Sequence, residues 1–107
     1  MVRVPTNCTP THPGEMLLEE FLMPMGLTQR DLADAIHVPY QRVNDLIHGR
    51  HGMTPSTALR LAKFFGTTPE FWMNLQLRID LYAARQGEQT VLESITTYHP
   101  KQPLAGE

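Results

Sequence analysis

Three times in this chain a polar side chain stands directly before a proline and an apolar pattern of helical period follows, at His12-Pro13, Thr54-Pro55 and Thr68-Pro69. Proline's fixed φ suits the first position of a helix, where its missing N–H has no intrahelical partner to lose. A preceding threonine can accept from the free N–H groups of the first turn. Each pair therefore predicts a helix start, and a chain punctuated in this way is built from short helices rather than strands.

The segments between these marks agree. After Pro13, Leu17, Leu18, Phe21 and Leu22 form the stripe of an amphipathic helix, which Pro24 is expected to end and Gly26 to exit in a left-handed turn. Thr28 caps a second helix over TQRDLADAI, with Asp31 as a loose capping-box partner, and Leu32 and Ile36 face inward. His37-Val38-Pro39 interrupts it. A third helix is predicted from Tyr40 to His48, anchored by Val43, Leu46 and Ile47, and Gly49 and Gly52 bracket the loop beyond it. Helices at about 55–65 and 69–86 follow, with Leu59, Leu61, Ala62, Phe64 and Phe65 expected in the core. Only Thr90–Tyr98, where β-branched residues collect, reads equally as helix or strand. The predicted fold class is all-α: a compact five-helix domain at 12–86, an N-terminal arm at 1–11 and a C-terminal tail at 87–107.

At 107 residues the chain is the size of one domain with a modest core. It has no apolar run long enough to span a bilayer and no apolar stretch near its start resembling a secretory signal. Its lone cysteine, Cys8, cannot form an internal disulfide, and it reads as an incidental residue of the arm in a reducing, bacterial-type cytoplasm. The net charge of −2 opposes strong nucleic-acid binding, but the charge is uneven. Residues 28–86 carry seven cations against five acids, and the remaining acid lies toward the two ends.

Two short helices joined by a tight turn form a DNA-reading unit whose second helix enters the major groove, and Gln29–Ile47 has that spacing. Ala33 stands where the helices cross, and His37 occupies the turn. On the second helix Val43, Leu46 and Ile47 cluster on one side; Gln41, Asp45 and His48 point the other way, edged by Tyr40 and Asn44 and by Arg42. Gln, Asn, Arg and His can pair with base edges. A merely solvated face is the ordinary alternative, but such faces are usually filled with Lys and Glu, and this one has neither. Thr28 and Gln29 lie at a helix N-terminus that favours phosphate, while Arg50 reads equally as a phosphate contact or as an ordinary loop charge.

The runs THPGEMLLEEFLMPMGLTQRDLADAI, VPYQRVNDLIHGRHGMTPSTALRLAKFFG and TTPEFWMNLQLRIDL resemble the HigA-type antitoxins, also called plasmid-maintenance antidote proteins, within the phage-repressor-like helix-turn-helix class. The resemblance covers Thr11 to about Arg85. It implies an all-α fold, a homodimer, binding to the double-stranded operator DNA of the protein's own operon, and neutralisation of a small HigB-like toxin that cleaves messenger RNA. It departs at His37, where the family usually has Gly; if that position needs positive φ, His carries slight strain.

Other chemistry finds little support. His48 and His51 are three apart with Gly49 between them, the other histidines lie in separate segments, and no metal or other cofactor is expected. Glu19 and Glu20 are adjacent and cannot face each other on a helix. No nucleophile–base arrangement appears, so an enzyme is not expected. In the last helix Phe71, Leu75, Ile79 and Tyr82 form one stripe with Trp72 at its edge. Met73, Leu77 and Leu81 form a second, to be covered by another subunit, by the N-terminal arm or by a toxin. A free-standing repressor without a toxin, and a neutralising module without DNA binding, are the competing readings.

Overall fold

The computed structural model describes residues 9–100, so Cys8, most of the expected arm and the end of the expected tail lie outside the described residues. Five helices follow one another, and there is no strand among the described residues. The first, α1, is continuous through Pro13–Met16, a wider π-type turn at Leu17–Leu22, and Met23–Met25. Then come α2 (Gln29–Ile36), α3 (Tyr40–Ile47), α4 (Pro55–Phe65) and α5 (Pro69–Glu93).

The starts follow from local chemistry. His12 Nδ1 accepts from the Gly14 N–H at 2.9 Å. The hydroxyls of Thr54 and Thr68 accept from the N–H groups of Thr57 and Phe71. At α2 the box is reciprocal: Thr28 Oγ1 accepts from Asp31 N, and Asp31 Oδ2 accepts from Thr28 N.

Two helix ends depart from expectation. Pro24 does not end α1, which runs to Met25 before Gly26 turns left-handed at φ 68°. A proline ring inside a helix crowds the carbonyl four residues back. Here the widened turn just upstream, in which the Met23 N–H reaches the Leu18 carbonyl, gives that ring room. The last helix, expected to stop near 86, continues to Glu93, so residues 87–93 assigned to the tail are helical. Gln86 to Glu93 are mostly good helix formers, and one internal glycine costs only about 1 kcal/mol. The Thr90–Tyr98 stretch thus resolves into the end of α5, a Ser94 cap and irregular chain beyond it.

The core is one cluster fed by every helix: Leu17 and Leu22, Leu32 and Ile36, Val43 and Leu46, Leu61 and Ala62, and Trp72 and Leu75. Trp72, expected at the edge of its stripe, is the centre of it; its ring lies 5.0 Å from Phe21 and 4.9 Å from Phe71, and its indole N–H donates to Thr67 Oγ1 at 2.8 Å. Leu59 and Phe64, expected inside, are 59% and 42% exposed. They lie on the outer side of α4, and Thr57 and Ala58 take the inward positions.

Gly14 sets how closely α1 approaches α3. A β-carbon there would land on the Leu46 carbonyl oxygen and come within 2.9 Å of Ile47 Cα. Only glycine permits this backbone contact, which seats α3 on the amino end of α1.

Candidate nucleic-acid interface

Helices α2 and α3 are joined by His37, Val38 and Pro39, and His37 takes the left-handed conformation at φ 60°, ψ 49°. It is the one non-glycine residue with positive φ among the described residues. Two features hold this turn. The His37 and Val38 N–H groups donate back to the Asp34 and Ala33 carbonyls. From α4, the Arg60 guanidinium donates to the Ile36 carbonyl at 2.7 Å and to the His37 carbonyl at 3.1 Å. A cation at the negative end of α2 is favourable, and these charge-assisted bonds fix the angle at which α3 leaves α2.

On α3 Tyr40, Gln41, Asn44 and Asp45 form one connected surface with Gln29 and Arg50, and Arg42 stands outside that network. Asn44 Nδ2 donates to Gln29 Oε1 at 2.9 Å and lies 3.3 Å from the Tyr40 hydroxyl, tying the start of α2 to the middle of α3. Arg50 reaches back from the following loop, donating from Nη2 to Asn44 Oδ1 at 2.7 Å and from Nε to Asp45 Oδ1 at 3.0 Å. The same Asp45 oxygen accepts from Gln41 Nε2 at 2.8 Å. The hydrogen bond from Gln41, and then the one from Arg50, hold the Asp45 carboxyl below the usual carboxylate range.

Individual placements refine the sequence reading. Gln41 and Arg42 are exposed near the amino end of α3. The His48 ring turns back, with Nδ1 2.9 Å from the Asn44 carbonyl, and so closes the end of α3. The Thr28 hydroxyl oxygen accepts the capping bond from Asp31, leaving its O–H and the remaining main-chain N–H groups of the first α2 turn as that side's anion donors. Arg30, which the sequence reading did not single out, lies 4.8 Å over the Tyr40 ring. Neither it nor Arg60 carries a local signal, because their partners are ten and 24 residues away. Of the second stripe on α5, Met73 is half-buried against the core, whereas Leu77 and Leu81 are 52% and 41% exposed. No helix among the described residues is long and apolar enough to cross a membrane.

A short helix, a three-residue turn and a second helix with an outward polar face define a helix-turn-helix unit. The helix-turn-helix family model matches residues 18–72. The antitoxin HigA-1 of Vibrio cholerae is 44% identical over 84 residues, covering 78% of this chain and 79% of that protein. Among solved structures, Pseudomonas aeruginosa PA4674 in complex with its 18-bp operator DNA superposes with a TM-score of 0.81 at 35% identity, covering 85% and 97% of the two chains. The P. aeruginosa antitoxin HigA with the higBA promoter gives 0.75 at 37% identity, covering 89% and 98%. The chain belongs to the helix-turn-helix family and, within it, to the HigA-type antitoxins.

Proposed function

We propose that this chain is an antitoxin and autorepressor that binds double-stranded operator DNA as a homodimer and neutralises a small RNA-cleaving toxin. The observation that carries the DNA-binding half is the bonded chain Gln29–Asn44–Arg50–Asp45–Gln41, which ties both helices of the unit into one surface. Side chains held in place before binding need little further ordering when they meet base edges. In this reading α3 enters the major groove with Gln41 and Arg42 toward the bases and Tyr40, Asn44, Asp45 and His48 beside them. The first turn of α2 at Thr28 and Gln29, together with Arg50, takes the phosphate backbone. Relatives named as antitoxins and solved with promoter DNA support both halves.

The test is a double Gln41→Ala, Arg42→Ala variant measured on operator and scrambled duplexes, beside a growth-rescue assay with the toxin. Folding should be unchanged, and specific affinity should fall by about 1–3 kcal/mol for each bidentate base contact removed. Unchanged operator preference would mean that α3 is not the reading helix. Rescue should survive; its loss with intact folding would place the toxin on the DNA-reading face.

A further inference from the structure

Gln41 is an exposed member of the network and yet its amide is not free to turn. Its Nε2 donates to Asp45 Oδ1 at 2.8 Å, and Arg50 Nε donates to that same oxygen at 3.0 Å. Arg50 is itself fixed through Nη2 to Asn44 Oδ1. An ionised carboxylate only accepts, so the amide nitrogen and not the amide oxygen must face it. Reversing the amide would set two acceptors against each other.

We infer that Asp45 is a positioning residue that locks the Gln41 amide in the orientation selecting adenine over guanine at the base pair it meets. The inference rests on α3 being the reading helix. With one N–H committed to Asp45, the exposed edge of Gln41 offers its second N–H and its carbonyl oxygen side by side. Adenine presents the complement in the major groove, an N7 acceptor beside an N6 amino donor. Guanine presents N7 and O6, both acceptors, so the Gln41 oxygen would face a lone pair. Cytosine offers a donor with no neighbouring acceptor. An unlocked glutamine can also turn its amino group outward and donate to guanine, so its own chemistry discriminates less strictly. Asp45 also brings a negative charge toward the phosphates and offsets part of the attraction that its ion-pair partner Arg50 exerts on them. It therefore exchanges general affinity for selectivity.

These two effects have opposite signs, which distinguishes the lock from a structural role. The full chain and its variants are bound to a random-sequence duplex library, then to duplexes carrying each of the four base pairs at every position of the selected half-site. The unmodified chain should prefer A·T over G·C about tenfold or more at one position, as one bidentate contact discriminates. Gln41→Ala should abolish that preference. Asp45→Ala should reduce it severalfold while binding scrambled duplex as tightly as before or tighter, an outcome that misfolding cannot produce. Asp45→Ser, too short to reach Gln41, is the second variant should the alanine form fail to fold. Asp45→Asn should keep the preference, because Arg50 still demands an acceptor oxygen at that point. Undiminished preference in both Asp45→Ala and Asp45→Ser, or a Gln41-dependent preference for G·C, overturns the lock and leaves the reading helix in place. If Gln41→Ala changes no preference at any position, the assignment of α3 falls and the lock with it.

Discussion

His37 and Arg60 act as a pair at the turn. Left-handed backbone costs a non-glycine residue about 1–2 kcal/mol, and glycine returns roughly half of that through its freer unfolded chain. His37→Gly should therefore stabilise the fold by about 0.5–1 kcal/mol, read as a rise of a few degrees in Tm for a domain of this size. Arg60→Ala should cost about 1–2 kcal/mol, the value of charge-assisted bonds discounted for exposure. Chemical denaturation of the two single variants and the double variant gives the coupling; simple additivity would show that Arg60 does not hold the turn. Asp45 makes a separate prediction. Its folded pKa lies below the unfolded value, so its contribution is complete above the ordinary carboxylate range and is lost only as pH falls through the lower folded pKa. The Arg50 side chain, followed by NMR, should stay tethered at pH 5 and release on acidification below pH 4; release between pH 5 and 6 would contradict the depressed carboxyl.

Each helix is held by something outside its own periodic pattern. The clearest case is the seat of α3 on Gly14, where the obstacle to a side chain is backbone and cannot rotate away. Gly14→Ala should cost about 1–3 kcal/mol as overpacking, and it should weaken operator binding more than the stability loss explains, because the helix displaced is the one proposed to read. Equal operator affinity per folded molecule would show that α3 keeps its seat by other contacts. Thr28 gives the converse case. Its hydroxyl oxygen accepts the α2 capping bond while its O–H stays available to phosphate, so Thr28→Ala should cost about 1 kcal/mol of stability. It should weaken specific and scrambled DNA alike; a loss confined to one sequence would assign Thr28 a base contact.

For the molecule as a whole, the second stripe of α5 defines the remaining surface. Leu77 and Leu81 stay exposed while Met73 packs inward, so two of the three residues expected at a dimer interface face solvent in the single chain. A homodimer covering them must hold its two α3 helices about 34–36 Å apart to read half-sites one turn of DNA apart. Light scattering at micromolar concentration should give the dimer mass, and Leu77→Asp should shift it toward monomer. A strictly monomeric unmodified chain, with and without DNA, would rule out that arrangement.

What could be read from the residues alone was whatever local bonds or a single helix's period determine. Caps at Thr28, Thr54 and Thr68 act within three residues, and the polar side of α3 follows from a repeat of 3.6. The helix-turn-helix unit and the polar face proposed to read DNA were legible for that reason. Periodicity states which side chains share a face, not which face finds a partner. It placed Leu59 and Phe64 inside and Trp72 at an edge; the packing of α4 and α5 around α1 decided otherwise. The widened turn that carries α1 past Pro24, the reach of Arg60 to a carbonyl 24 residues away, and the contact of Gly14 with Leu46 depend on where separate helices come to rest. Only the tertiary structure decides that, because the energy lies between elements and not along them.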